Sequence, residues 1–390
     1  MLVFGTRPEA IKMCPLVIEL KKVQTFEVVV CVTGQHREML RQVLECFDVR
    51  PDYDLDIMKD QQTLFDITAA VLCRMKDVLE QEMPSVLLVH GDTSTAFASA
   101  LAAFYLKIPV GHVEAGLRTY NLAAPYPEEF NRQAVSLISG MNFAPTQAAR
   151  QNLLNEGFAP ESVYVTGNTG IDALRYTVQE NYSHPVLEWA KGGRLVLLTA
   201  HRRENCGKPF QNIFSAIRRL AADLPDIRVV YPLHMNPAIR KMAHDMLDGC
   251  DNICLTEPMD VIDFHNIMAR SELILTDSGG IQEEAPALGK PVLVLRNTTE
   301  RPEGVEAGTL RLVGTEEEKI YREAYRLLTD PEEYQIMRQK SNPYGDGTAS
   351  IKIAHILEEM NTVTYEHQRT GTAENGRFAD GETERKVIQI

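Results

Sequence analysis

Several absences narrow what this chain can be. It has no apolar run approaching the ~18 residues that a membrane span needs. Its opening residues lack the basic, apolar and small-residue order of a signal peptide. A cytoplasmic protein without a membrane partner is therefore expected. Positive charge is also short: 40 Lys and Arg stand against 54 Asp and Glu, a formal net charge of -14. That excludes nucleic acid as the expected partner, because a phosphate backbone is held by clustered cations. A small anionic ligand needs only a few local donors and stays open. The seven cysteines are odd in number and irregular in spacing, with no CxxC pair. They read as reduced thiols, and neither a disulfide framework nor a metal site is expected. The GxGxxG dinucleotide fingerprint is missing too, so a nicotinamide is not indicated and no cofactor is expected.

What remains is a long, ordinary globular composition, 44% hydrophobic and 24% charged over 390 residues. That length exceeds what one core usually supports, so two domains are expected. Short apolar runs alternate with loops and helical stretches. Leu2 to Phe4, Val28 to Thr33, Val86 to His90 and Pro109 to Val113 read as strands, with helices over about 9–22, from Arg37, and up to Leu106. The rhythm restarts at Leu195 to Thr199 and runs through Arg228 to Tyr231, Ile253 to Leu255, Leu273 to Thr276 and Pro291 to Leu295. These runs are continuous rather than alternating, which marks strands buried on both faces of a parallel sheet. The expected architecture is α/β, with two facing Rossmann-like, doubly wound domains and a cleft between them. The first covers 1–170 and the second 171–345. A helix at 349–360 packs back on the first domain, and the polar, Gly-rich residues 366–390 form a disordered tail.

In doubly wound folds, ligands bind at the carboxyl ends of the strands. The first such loop is Gly5-Thr6-Arg7-Pro8-Glu9, with Lys12 one turn into the helix. Arg7 and Lys12 near a helix N-terminus favour an anion, although a solvated basic pair would look the same. The loop at Gln35 follows the second strand. Asp92 follows the third strand beside Gly91 and suits acid/base work, or simply an N-cap. Glu114 follows the fourth strand among small residues, where burial demands a partner or a raised pKa. Glu128 opens a helix after two prolines, a place where acids commonly complement the dipole. In the second half His201 sits between a strand and Arg202-Arg203, and His234 ends the next strand. The segment Leu275 to Glu284 is the most informative. A strand ends, Ser278-Gly279-Gly280 exposes backbone N–H groups, and a helix begins, which makes a phosphate cradle that needs no metal. Glu284 can accept from ribose hydroxyls, and Arg301 adds a cation downstream.

Taken together these segments resemble the non-hydrolysing UDP-N-acetylglucosamine 2-epimerases of bacterial type. The resemblance rests on FGTRPEAIKM at 4–13, QHREML at 35–40, LLVHGDT at 87–93, PVGHVEAGLRT at 109–119 and PYPEEFNRQ at 125–133. It continues with TGNTGIDAL at 166–174, AHRREN at 200–205, LTDSGGIQEEAPALGKPVLVLR at 275–296, TTERPEGVEAGT at 298–309 and NPYGDG at 342–347. It implies a GT-B-like pair of domains, a homodimer and a UDP-sugar substrate. Epimerisation at C2 would proceed by anti elimination of UDP, a bound 2-acetamidoglucal and re-addition of UDP, supplying cell-surface polysaccharide synthesis. Carried over by position, Asp92, Glu114, Glu128 and His201 would be catalytic. Ser278, Gly279, Gly280 and Glu284 would hold diphosphate and ribose, Phe264 uracil, and Arg7, Lys12 and Arg301 phosphate charge. Gln35, Arg202 and His234 match a second, regulatory substrate site, while Glu38 and Gln61 stand where the pattern has Gln and Arg. Rival readings are a hydrolysing 2-epimerase, a GT-B glycosyltransferase and a UDP-sugar sensor.

Overall fold

The computed structural model describes residues 1–34, 37–59, 61–202, 205 and 207–360, with the backbone alone at 37 and 38. Gln35 and the 366–390 segment lie outside the described residues. The chain divides into two units, Met1–Ala173 with the described residues from Gly347, and Leu174–Asp346. Among the described residues no helix is long and apolar enough to cross a membrane.

The first unit carries β1 (Leu2–Phe4), β2 (Val30–Val32), β3 (Tyr53–Asp54), β4 (Leu87–His90), β5 (Val110–Val113), β6 (Met141–Ala144) and β7 (Val163–Val165). Their order across the sheet is β3-β2-β1-β4-β5-β6-β7, and every pairing is parallel. The second unit carries β8 (Arg194–Thr199), β9 (Ile227–Pro232), β10 (Ile253–Thr256), β11 (Leu273–Thr276), β12 (Val292–Val294) and β13 (Leu310–Leu312). Its order is β10-β9-β8-β11-β12-β13, again all parallel. Both are doubly wound, Rossmann-like sheets, and two such units in one chain make up the GT-B class. Each strand order reverses at one point, between β1 and β4 and between β8 and β11. The crevice at the carboxyl ends there is where such folds bind ligands.

The cores follow from the apolar runs. β1, β2 and β4 are buried along their whole length, and the Leu64–Glu82 and Ser94–Tyr105 helices pack on them through Val71, Met75, Leu79, Ala96 and Ala100. In the second unit Phe210, Phe214 and Ile217 of the Lys208–Asp223 helix pack with Val196, Val229 and Tyr231. The helix read from Glu9 starts at Arg7, because Thr6 caps it: the Thr6 hydroxyl accepts from Glu9 N, and the Glu9 side chain returns the bond to Thr6 N. Pro8 then costs nothing in the first turn. The final helix at 349–360 is capped from within its own unit by Asp172, which accepts from Ala349 N (3.1 Å) and Ser350 N (2.5 Å).

Candidate functional site

In the first unit the turn after β1 is shaped by two buried groups. Glu9 accepts from Gly5 N (3.0 Å) and Thr6 N (2.8 Å), and the Thr93 hydroxyl donates to it at 2.6 Å. Burial pushes its carboxyl above the usual range, against those bonds. Gly5 must lack a side chain, since a Cβ there would lie 1.9 Å from Thr33 Oγ1. These contacts fix the start of the helix that carries Arg7 and Lys12.

Lys12 does not stand alone near that turn. Its ammonium donates to Glu114 Oε1, which also accepts from Asn168 Nδ2 at 3.0 Å. Glu114 therefore has the partner its burial demanded, in a left-handed conformation (φ 64°) just past β5. Its second oxygen lies 3.6 Å from His90 Nε2. His90 is buried at the end of β4, and burial pushes its pKa down to about 4, so it is neutral at pH 7. His112 is equally buried, its pKa pushed down to about 3; neutral, its Nε2–H donates to the Gly91 carbonyl at 2.7 Å. That bond pins the Gly91 turn (φ 62°) on which Asp92 rides.

Asp92 pairs with Arg132, and Asn131 donates to its backbone carbonyl at 2.9 Å. Burial pushes the Asp92 carboxyl up; the Arg132 charge pulls the other way, while Glu114 and Glu128 push it further up. The net direction is upward, the condition a proton-accepting carboxylate needs near neutral pH. Glu128 and its neighbour part company. Glu129 is fully buried and accepts from Thr119 N (3.0 Å), Tyr120 N (3.0 Å) and Gln133 Nε2 (2.8 Å), holding the proline loop. Glu128 is only partly buried at the helix start, close enough to Asp92 to raise its pKa. The first unit thus gathers Asp92, Glu114, Glu128 and Lys12 at the carboxyl edge of β4 and β5.

In the second unit one residue organises the rest. Asp277, fully buried after β11, accepts from His201 N (2.9 Å), Arg202 N (2.8 Å) and Asn205 Nδ2 (3.0 Å). His201 Nδ1 lies 3.1 Å from its other oxygen. Burial pushes Asp277 up, but the His201 contact and the backbone N–H groups outweigh it, and the carboxyl sits below the usual range. An ionised Asp277 orients the His201 ring and leaves Nε2 as its working nitrogen. Arg202 is turned by the same carboxylate loop and meets Arg301 at the glycine turn. A Cβ on Gly279 would lie 3.8 Å from a terminal nitrogen of each guanidinium. Two guanidinium groups therefore converge on the N-terminus of the Gly279–Ala287 helix, whose first N–H groups are free of any side-chain cap. That is an anion site built from two cations and a helix dipole.

The supports of that site are visible too. Arg301 is steered by Glu283, which is buried, and Asn342 donates to the Glu283 carbonyl at 2.9 Å. Tyr344 accepts from Gly304 N (2.9 Å) and donates to the Arg301 carbonyl (3.1 Å). Glu284 stands with its Oε2 3.5 Å from His265 Nε2, and His265 is fixed through Thr177 at 2.7 Å. Phe264 is half-buried beside His265, with ring centroids 6.3 Å apart. His234 lies edge-on to His201, centroids 6.1 Å apart. Among the described residues no group of three His, Cys, Asp or Glu side chains is placed to hold a metal ion.

Sequence reading placed Asp92, Glu114, His201 and the Ser278 to Glu284 turn at strand ends, but it did not single out Asp277, Arg132, Asn168 or His90. The missing signal is register. Asp277 faces the His201 loop only because β8 and β11 are neighbours with Thr276 beside Thr199.

A family model described as UDP-N-acetylglucosamine 2-epimerase matches residues 18–358. A UDP-N-acetylglucosamine 2-epimerase of Bacillus subtilis is 58% identical over 357 residues, 92% of this chain and 94% of that one. The crystal structure of a UDP-GlcNAc 2-epimerase from Neisseria meningitidis bound to UDP-GlcNAc is 50% identical. It superposes with a TM-score of 0.83, covering 92% of this chain and 99% of that one. An S. aureus co-structure with UDP is likewise 50% identical, with a TM-score of 0.85 over 93% of this chain and 96% of that one.

Proposed function

The chain belongs to the UDP-N-acetylglucosamine 2-epimerase family, and from that premise we propose how its two clusters carry out the isomerisation. The substrate is UDP-N-acetylglucosamine and the product UDP-N-acetylmannosamine. The second unit reads the nucleotide. Arg202, Arg301 and the N–H groups at Ser278, Gly279 and Gly280 meet the diphosphate. Glu284, held by His265, accepts from the ribose, and Phe264 packs on uracil. The first unit serves the sugar. A carboxylate of the Asp92, Glu114 and Glu128 set takes the proton from C2, the electrons of that C–H bond form the C1=C2 bond, and the C1–O bond breaks as UDP leaves with its pair. The 2-acetamidoglucal stays bound. A proton is then delivered to the other face of C2 and UDP re-adds at C1.

The observation that carries this reading is the pair of guanidinium groups at Gly279 beside the Asp277-oriented His201. Departing UDP gathers negative charge, and fixed cations and helix N-termini aimed at that charge lower the barrier without reorganising. His201 adds a proton donor at the same edge. Lys12 meets Glu114 in direct contact, and Arg7 adds a second cation at the same turn. Arg202 and His234, beside His201, are the positions through which a second substrate molecule would act on the first. The enzyme works in the cytoplasm as a homodimer, and its product feeds cell-surface polysaccharide.

The test is NMR of UDP-N-acetylglucosamine with the protein in deuterated water. The expected result is deuterium at C2, an equilibrium mixture of the two UDP-sugars and only trace free sugar. Stoichiometric release of UDP with free N-acetylmannosamine would instead identify a hydrolysing enzyme.

A further inference from the structure

The second unit holds a cavity of about 520 Å³ at the edge of its sheet remote from Asp277. The strands are parallel, so the residues that begin them share one edge. Arg194 begins β8, while Arg270 and Glu272 precede β11 and Lys290 precedes β12. All four line the cavity, joined by Tyr334 and Arg338 of the Pro331–Arg338 helix.

The charges in this cavity do not balance. Arg194 donates to Asp226 at 2.7 Å and lies 3.6 Å from Glu272, the one carboxylate of the lining, so both of those acids are engaged. Arg270 donates to the carbonyls of Gln179 (2.8 Å) and Glu180 (2.9 Å) and to Asn266, none of them charged. Among the described residues neither Lys290 nor Arg338 is recorded in an ion pair. Glu333, on the same helix as Arg338, is held by Arg311 and Arg326 instead. Arg194 and three further cations therefore share one carboxylate of the lining, Glu272, in a chain whose net charge is -14.

A structural explanation is available for part of this. Arg270 and Arg338 end their helices, and Lys290 follows the Gly279–Ala287 helix, where its N–H donates to the Ala285 carbonyl at 3.1 Å. Cations at helix C-termini are favoured by the dipole. If that sufficed, the ammonium of Lys290 would be comfortable. Instead its pKa is pushed down, first by burial and then by the Arg338 charge beside it, which together outweigh the upward pull of Glu272. A half-buried ammonium held beside the exposed Arg338 guanidinium is a cost to the fold, and such costs are retained where a ligand removes them.

We propose that this cavity is an anion site separate from the diphosphate cradle, taking a small polyanion of the phosphate-ester class, with Lys290 and Arg338 meeting its charge. Leu195, Leu327 and the Tyr334 ring give its organic part an apolar wall. The proposal does not depend on the epimerase reading, because none of these residues belongs to that machinery.

Inorganic pyrophosphate is the probe, titrated calorimetrically into the full chain with UDP present at saturation so that the cradle at Gly279 is occupied. One further binding event is expected per chain, weakened at least tenfold in the Lys290→Gln/Arg338→Gln double variant. Thermal melting of Lys290→Gln alone supplies the second measurement. In anion-free buffer the variant should melt at or above the wild-type temperature, since a repulsion has been removed, and it should lose most of the pyrophosphate-induced rise. Pyrophosphate binding that is absent beside UDP, or unchanged in the double variant, overturns the site. So does a Lys290→Gln protein that melts well below wild type without anion, because the ammonium would then be structural.

Discussion

Asp92 and Asp277 are both carboxylates just past the end of a parallel strand, yet their surroundings push them in opposite directions. Asp92 is raised by burial and by Glu114 and Glu128, with Arg132 as the one restraint. If Asp92 must be ionised to accept the C2 proton, kcat/KM falls as pH drops through its pKa, above the ordinary 3.8. Arg132→Gln removes the restraint, so the acid limb of the pH profile should move to higher pH. A limb that stays in place would take Asp92 out of the proton-transfer role. Asp277 is depressed below 3.8 by His201 and the N–H groups of the loop. A depressed carboxyl stabilises the fold above its unfolded pKa, and that contribution disappears as pH falls through the lower folded value. Asp277→Asn should therefore lose about 3 kcal/mol near neutral pH, read by urea unfolding, since hydrogen bonds to a charged group contribute ~1.5–3 kcal/mol each. Its stability should also lack the wild-type fall below pH ~3.8. Asp92 was visible in the sequence as a polar strand end, and Asp277 only as part of the Leu275 to Glu284 segment. Their roles were not, because the partners Arg132 and His201 are 40 and 76 residues away and only strand order brings them near.

At the scale of elements, the buried strands declared themselves as continuous apolar runs, and β1, β4, β5, β8 and β11 were legible for that reason. β3, β6, β7 and β13 were not. β3 is two residues long, and β6 interrupts its apolar run with the fully buried Asn142. The edge strands β3, β7 and β13, of two or three residues, carry too little pattern to separate from loop. Strand β2 is shorter than the run Val28 to Thr33 because its ladder with β1 spans only Val30 to Val32. The two glycine turns that follow β1 and β11 look alike in sequence and differ in physics. Gly5→Ala drives a methyl onto Thr33 and should destabilise by about 1–3 kcal/mol, the usual range for overpacking. Gly279→Ala meets nothing closer than 3.8 Å and starts a helix, where alanine is favoured over glycine by up to ~1 kcal/mol. Its melting temperature should hold or rise. The added methyl occupies the space between Arg202 and Arg301, so UDP affinity measured by calorimetry should fall roughly tenfold or more, about 1.4 kcal/mol. Unaltered UDP binding would show that the diphosphate lies elsewhere.

For the molecule as a whole, a chain with a net charge of -14 repels its own copies at long range, so any stable association must come from an uncharged surface. The first unit has one. On the Ser94–Tyr105 helix Phe97 and Phe104 are seven residues apart, and on the Glu128–Ile138 helix Phe130 and Leu137 are as well. Two turns of helix place each pair on one face. The rings of Phe97 and Phe130 touch edge to face with centroids 5.5 Å apart, which joins the two faces into one stripe. Along it Phe104 is 56% exposed, Phe130 48% and Leu137 80%. Single exposed apolar residues need no explanation, but a contiguous stripe of this kind marks an association surface. A twofold dimer buries such a stripe against its own copy, each residue facing its symmetry partner's neighbourhood. A stable interface buries on the order of 1,600 Å² in total, more than two aromatic side chains supply, so both helices must take part. If the chain forms the proposed homodimer through this stripe, Leu137→Glu should halve the mass seen by light scattering at micromolar concentration. The change belongs to the surface of the monomer, where substitutions usually cost within ~0.5 kcal/mol, so the fold of the isolated subunit should survive. If the mass is unchanged while Phe104→Glu dissociates the protein, the interface runs along the first helix alone. If neither changes it, the stripe is not an association surface.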